Sequence, residues 1–249
     1  MSDSIGAGTV HITGPDVNHI AHVLRMKAGE RLCVVGSDGA GALCEIVSIG
    51  KDEVRLSPVE PMAQETELPA RITLFQGLPK GDKLEWIVEK AVELGVCEVV
   101  PVQCARSVAK WVDPGKLGQK LRRYNQIALS AAKQCGRALV PVVRPPMTWK
   151  EALGYAQSQQ MDLCLIPYEN EGDMDATKRA LDQVDRDGRM HIGVFIGPEG
   201  GFAPEEVQGA LDAGMRTISL GRRILRTETA AVAALAILMM RLEMHGSVP

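Results

Sequence analysis

Two segments toward the carboxyl end of the chain combine glycines, a proline and charged side chains in a way that could do chemistry. The first, Ile196-Gly197-Pro198-Glu199-Gly200-Gly201-Phe202, follows an apolar run that reads as a strand and precedes a helix opened by Pro204. Open α/β sheets bind ligands at the carboxyl ends of their strands. Glycines there bring backbone amides and carbonyls close to a ligand, and Pro198 sets the turn. The loop lacks both the Lys-Ser/Thr of a Walker A sequence and the spacing of the dinucleotide fingerprint, so nucleoside triphosphate and NAD chemistry lose support. The second segment, Leu220-Gly221-Arg222-Arg223-Ile224-Leu225-Arg226-Thr227-Glu228-Thr229-Ala230, again joins a strand end to a helix start. Two such loops from successive strands can face each other, and three arginines beside a glycine-rich loop suit an anionic ligand. The plainer reading is a helix N-terminus capped by Thr227 or Thr229.

Charge is spread unevenly behind these loops. The chain carries 28 Lys and Arg against 31 Asp and Glu, a net -3, which by itself gives no pull on a polyanion. Residues 1–68 hold five basic and ten acidic side chains, and residues 69–249 hold 23 and 21. Within the second part, Arg106, Lys110, Lys116, Lys120, Arg122, Arg123, Lys133, Arg137 and Arg144 face only Asp113, nine charges against one. That is a candidate phosphate-binding surface, or else a solvated basic helix face. His19 and His22 stand three apart without an apparent third ligand, so no metal site is expected. Six cysteines form no Cys-x-x-Cys pair, which argues against a disulfide framework or a zinc knuckle. Cys97 and Cys104 lie near a predicted strand and read as small buried hydrophobes.

These groups must be positioned by the rest of the 249 residues, 45% of them hydrophobic, enough for two cores. Residues 1–10 have neither a basic region nor an apolar stretch, so no leader is expected and the protein is placed in the cytoplasm. The longest apolar run, 230–240, is shorter than the roughly 20 residues needed to cross a bilayer. It reads as a buried or interfacial helix, with no membrane partner.

Short strands are expected at 10–12, 31–35, 42–46 and 53–56, punctuated by Gly29, Gly36, Gly39, Gly41 and Gly50 and interrupted by one helix over 15–26. This predicts a small β-barrel-like domain over 1–68, with 58–69 as a linker. From 69 to 249 the rhythm changes to strands at 71–76, 98–102, 140–143, 162–166, 192–196 and 217–220. They alternate with helices at about 82–95, 117–134, 149–158, 176–184, 204–213 and 227–244, the pattern of a buried parallel sheet. Asp82 is placed to cap the first of these helices and Gly95 to end it.

The Gly-Pro-Glu-Gly-Gly-Phe and Leu-Gly-Arg-Arg-Ile-Leu-Arg-Thr-Glu-Thr-Ala segments resemble the two cofactor-loop motifs of the RsmE family, within the SPOUT superfamily. Leu78-Pro79-Lys80-Gly81-Asp82-Lys83, Glu89-Lys90-Ala91-Val92-Glu93-Leu94-Gly95-Val96, Arg106-Ser107 and Ala132-Lys133-Gln134-Cys135-Gly136-Arg137 with Pro141 resemble family segments in the same order. So do His19-Ile20 and Val23-Leu24-Arg25 near the start. The resemblance spans nearly the whole chain. It implies a PUA-like N-terminal β-barrel that binds RNA, and an α/β SPOUT domain with a parallel sheet and a trefoil knot. It also implies a homodimer and S-adenosylmethionine-dependent methylation of uridine N3 in bacterial 16S ribosomal RNA. The alternatives are a non-catalytic RNA-binding or ribosome-assembly protein, and a SPOUT methyltransferase acting on transfer RNA.

By the same resemblance the cofactor would lie against Ile196, Gly197, Glu199, Gly200, Gly201, Leu220, Gly221, Ile224, Leu225, Thr227, Thr229 and Ala230. Arg226 would face the uridine and stabilise charge on O2 or O4. Glu228 is a possible base, or simply a carboxylate favoured by the helix dipole. Arg25, Lys80, Arg106, Arg122, Arg123, Gln134 and Arg137 are assigned to the RNA, of which Lys80, Arg106, Gln134 and Arg137 could instead make structural contacts. Family members open with an Arg-aromatic segment where this chain has Met1-Ser2-Asp3-Ser4, and the N-terminal domain is acidic. The basic segment is therefore the better RNA surface. A dimer would use the last helix around Leu235, Leu238 and Met239, since a continuous apolar run needs burial on more than one side; burial within one subunit is the competing reading.

Overall fold

The computed structural model describes residues 8–36, 41–62, 66–111, 114–168, 172–184 and 190–244. Met1 to Ser4, Gly39 and Asp113, which figure in the expectations above, lie outside the described residues. The chain divides into two compact units, residues 1–67 with 137–139, and residues 68–136 with 140–249.

In the first unit β1 (Val10–Thr13), β2 (Arg31–Val35), β3 (Gly41–Ile49) and β4 (Glu53–Met62) form an antiparallel sheet in the order β1-β4-β3-β2. Irregularities between Leu43 and Cys44 and between Ile46 and Ser48 bend it into a half-barrel. Its core is Val10, Ile12, Val34, Cys44, Ile46, Val54 and Leu56, with Val17 and Ile20 from the helical segment. That segment is not one helix over 15–26. A short α1 (Pro15–Asn18) runs into a π-helical turn over His19–Val23, where Leu24 N–H donates to His19 O, and Arg25 takes a left-handed φ of 54° that ends it. The expected linker over 58–69 is also corrected, because β4 runs on to Met62. Pro58 and Pro61 are tolerated there because β1 pairs only with residues 53–56. Beyond Leu56, no strand among the described residues pairs with β4 on that side, which is where proline is tolerated in a sheet.

In the second unit all strand pairs are parallel, in the order β11-β9-β10-β5-β6-β7. The strands are β5 (Arg71–Gly77), β6 (Glu98–Gln103), β7 (Val142–Val143), β9 (Leu163–Pro167), β10 (His191–Ile196) and β11 (Arg216–Ile218). A two-residue β8 (Met147–Thr148), not foreseen in the sequence, pairs with β6. Helices α2 (Lys83–Glu93), α3 (Pro114–Gln134), α5 (Met174–Asp182) and α7 (Thr227–Glu243) cover one face, packing on Ile72, Leu74, Val99, Ile192 and Val194. Helices α4 (Trp149–Ser158) and α6 (Pro204–Asp212) cover the other, against Phe75, Val100, Val102 and Phe195. The split follows from period-two alternation in strands buried on both sides.

Three local expectations are corrected. Asp82 occupies the N-cap position of α2 but its side chain makes no capping bond. The N-cap of α7 is Arg226, and the Thr227 hydroxyl is used elsewhere. Leu235 and Leu238 lie in the core of the chain itself, so the exposed large apolar side chains of α7 are instead Ile237 and Met240, with Met244 just beyond its end.

Candidate active site

The carboxyl ends of β9 and β10, the loops that follow β10 and β11, and the start of α7 enclose a cleft of about 440 Å³, within the size range of small-ligand sites. Pro167, Ile196, Pro198, Phe202, Ile224 and Leu225 give it apolar walls. Gly197, Glu199, Gly200, Gly201, Arg226, Thr227 and Ala230 complete the lining. The structure thus brings together nine of the twelve residues assigned to the cofactor, with Arg226 beside them. Leu220, Gly221 and Thr229 do not line the cleft, nor does Glu228. Pro167 was missed, although a residue at the carboxyl end of a parallel strand is where the rule for such sheets places a ligand.

The fold of the first loop is dictated from behind. Gly77, at the end of β5, passes so close to it that a Cβ would stand 2.6 Å from Pro198 N and 2.9 Å from Gly197 C. Gly201 has a φ of 65°, which L side chains rarely adopt. A Cβ on Gly200 would meet Arg106 at 3.0 Å, on the side of the 104–107 turn. That turn is held by Glu206, which is buried and accepts from Ala105 N–H at 2.8 Å and Ala203 N–H at 2.9 Å. Arg106 Nη1 donates to Gly200 O at 3.2 Å, so it supports the loop.

The two loops meet through buried polar contacts. Thr227 Oγ1 donates to Gly197 O at 2.6 Å and accepts from Gln76 Nε2 at 2.9 Å. In front of them Lys83 Nζ lies 3.1 Å from Glu199 Oε1 and 3.1 Å from Glu228 Oε2, and Lys80 N–H donates to Glu199 at 3.1 Å. The bonds to Glu199 and then Glu228 raise Lys83 above the ordinary lysine value. Burial pushes Glu199 up, but its own N–H, the Lys80 N–H and the Lys83 ammonium outweigh it and hold the carboxyl below its ordinary value. Gln76, Lys83 and Glu206 were not singled out in the sequence. Their signal is positional, since each stands at a strand end or in the first turn of a helix beside a loop.

Arg226 is exposed, and its guanidinium has no partner among the described residues. Several residues assigned to RNA are engaged within the protein. Arg137 has a side chain only 3% exposed and makes a two-nitrogen contact with Glu67, 2.7 Å at the shortest. Its RNA assignment is therefore corrected to a structural one. Arg123 pairs with Glu85 at 2.7 Å and Arg144 with Glu98, so part of the basic segment is neutralised by carboxylates outside it. Arg25, Lys80, Arg122 and Gln134 are exposed. His19 and His22 are exposed on the π-helical turn, and no group of three or more potential metal ligands occurs among the described residues. Burial pushes the Cys104 thiol up to about 12, which disfavours the nucleophilic thiolate.

A cleft built from backbone, glycines and apolar walls, with Arg226 unpaired among the described residues, has counterparts among known proteins. A family model described as an RNA methyltransferase domain matches residues 66–239, and one described as an RNA methyltransferase PUA domain matches residues 12–59. A Bacillus subtilis protein named ribosomal RNA small subunit methyltransferase E is 38% identical over 241 residues, 96% of this chain and 92% of its own. The Mycobacterium tuberculosis protein of that name is 31% identical, over 90% of this chain and 83% of its own. The crystal structure of the Neisseria gonorrhoeae protein of that name, bound to S-adenosyl methionine, aligns with a TM-score of 0.82 at 29% identity, covering 96% of this chain and 95% of that one. With both units matched and the cleft formed by the two loops, the chain belongs to the ribosomal RNA small subunit methyltransferase E family of RNA methyltransferases.

Proposed function

We propose that this chain methylates N3 of a uridine in the 16S RNA of the small ribosomal subunit, with S-adenosylmethionine held in the cleft. The observation that carries the reading is Arg226, an exposed cation without a partner among the described residues, lining a cleft whose other charged side chain, Glu199, is paired with Lys83. The residues present fit the cofactor. Backbone groups of Gly197, Gly200, Gly201 and Leu225 can meet its polar edges, and Pro167, Ile196, Phe202 and Ile224 its apolar ones. When bound, the cofactor supplies an electrophilic methyl group. Uridine N3 lies between two carbonyls, so losing its proton to solvent water spreads negative charge onto O2 and O4. In this reading the Arg226 guanidinium stabilises that charge and orients the base. Glu228 faces Lys83 and does not line the cleft, so we assign it to the ion pair and not to proton removal.

The same reading gives residues 1–68 an RNA-holding role, with Arg25 exposed on its strained turn, and residues 69–249 the chemistry. Arg122, Lys80 and Gln134 are the exposed candidates for RNA contacts in the second domain. A trefoil knot is supported by the path after β11, which returns past the ends of β10 and β5 so that Thr227 meets Gly197 and Gln76. A homodimer is supported by Ile237 and Met240 on one exposed face of α7, by Met244 just beyond its end, and by the exposed Trp86 on α2. We place the protein in the cytoplasm with the ribosome; no helix among the described residues is long and apolar enough to cross a membrane.

Mass spectrometry of ribosomal and transfer RNA from a deletion strain tests the proposal. One uridine of 16S RNA should lose its methyl group and regain it with the wild-type gene but not with Arg226→Ala. A mark lost from transfer RNA, or none lost, overturns it.

A further inference from the structure

We propose that Lys83 is the positioning residue that ties the two loops of the cleft together and so sets the affinity for S-adenosylmethionine. The proposal rests on the cofactor reading above. Lys83 opens α2, just beyond the end of β5, and belongs to neither loop. Its ammonium meets Glu199 of the first loop and Glu228 of the second at the same 3.1 Å. Those two carboxylate oxygens are therefore no more than about 6 Å apart. Without a cation between them they would repel at a separation that favours opening the cleft. An ammonium is a compact charge with three donors, able to address both carboxylates at once.

An isolated surface ion pair would contribute little. This one differs because it is double and joins segments that are otherwise connected at the back by Thr227 and Gln76. The side chains of Lys83, Glu199 and Glu228 are 35%, 27% and 19% exposed, so solvent screens the contact only in part. The geometry predicts a specific pattern: the loss on removing the cation should be relieved by removing one of the anions.

The test uses the full chain with thermal melting as a control. In the protein without cofactor, Lys83→Met should speed amide hydrogen exchange at 197–203 and 220–227. Calorimetry should show S-adenosylmethionine bound about fivefold more weakly. Lys83→Arg should remain within about twofold of wild type, and Lys83→Met/Glu228→Gln should recover most of the loss. Unchanged exchange and affinity in Lys83→Met overturn the proposal, as does a loss that neither the arginine nor the second substitution relieves. If Lys83→Met does not fold, Glu228→Gln alone carries the test: binding about twofold weaker with faster exchange at 220–227 is expected, and no change in either overturns it. A wild-type chain that does not bind S-adenosylmethionine overturns the cofactor reading itself, and loop exchange then decides whether Lys83 ties the loops.

Discussion

The two edges of the large sheet treat their polar groups in opposite ways. At the amino edge the contacts close on themselves. Tyr155 OH donates to Glu98 Oε2 at 2.9 Å, Arg144 pairs with the same carboxylate, and Thr73 Oγ1 is 3.0 Å from His191 Nε2. At the carboxyl edge the pairing is incomplete by design of the loops. Lys83, Glu199, Glu228, Gln76 and Thr227 are joined, while Arg226 at the cleft is left without a partner among the described residues. A satisfied charge contributes to folding, and an unsatisfied one beside an apolar cleft is available to a ligand. The contrast also explains why a count of basic residues misjudges the surface, since Arg144 and Arg137 look alike in sequence to Arg122 but are bound by carboxylates.

The largest effect that would sharpen this contrast is expected at Gly77. An added Cβ would strike the backbone of Pro198 and Gly197, which cannot yield as a flexible side chain would. Gly77→Ala should cost about 1–3 kcal/mol of stability through overpacking. It should also lower S-adenosylmethionine affinity more than about a hundredfold, because the displaced loop forms the cleft wall. Calorimetry beside urea unfolding checks both, and unaltered affinity in a folded variant would move the site elsewhere. Next comes Arg226→Ala, expected to slow single-turnover methylation by about 10²–10³ while cofactor and RNA affinities stay within about threefold. A full single-turnover rate at saturating RNA would make Arg226 a phosphate clamp and break the contrast.

Much of this arrangement was legible in the sequence, for identifiable reasons. The strands at 71–76 and 192–196 are apolar runs buried on both faces, and the two loops follow strand ends directly, so two facing loops were expected from pattern, while the individual residues from Ile196 to Gly201, Pro198 apart, and from Ile224 to Thr227 were named only by the family resemblance. What could not be read depends on neighbours remote in sequence. Thr227 is an N-cap candidate by type, yet its hydroxyl is taken by Gly197, thirty residues earlier. Arg137 is a surface cation by type until Glu67, seventy residues away, buries it. Leu235 and Ile237 belong to one apolar run, and only packing on the sheet decides which faces the core. The π-helical turn over His19–Val23 escaped because its apolar spacing is close to that of an α-helix.

Glu98→Ala offers a smaller effect from the other edge. It should cost about 1–2 kcal/mol by leaving Tyr155 and Arg144 without their acceptor, part of which water restores to the half-exposed arginine. Cofactor affinity should be unchanged, as calorimetry would show. A loss of affinity would mean that the two edges are coupled through the strands and that the paired edge is not merely structural.

The smallest expected effect is a pH dependence confined to the amino edge. Burial, and then the nearby Arg71, hold His191 below the ordinary histidine value, outweighing the Gln159 backbone, Glu98 and Asp162, which act the other way. The folded chain therefore keeps this imidazole neutral at a pH where the unfolded chain, titrating near about 6.5, already takes up a proton. Its contribution to stability is fully present above about pH 6.5 and is lost as pH falls through the lower folded value. Carboxylates held below their ordinary value, such as Glu199 and Glu151, act only in more acid solution. Urea unfolding at pH 7.5, 6.5 and 5.5 should thus show a decline in the wild type that His191→Gln flattens. Cofactor affinity should not follow the same curve, because His191 begins β10 and the cleft lies at its other end. Wild-type stability that stays level across this window would show that the imidazole is accommodated in either form, and that the closure of the amino edge does not depend on its charge.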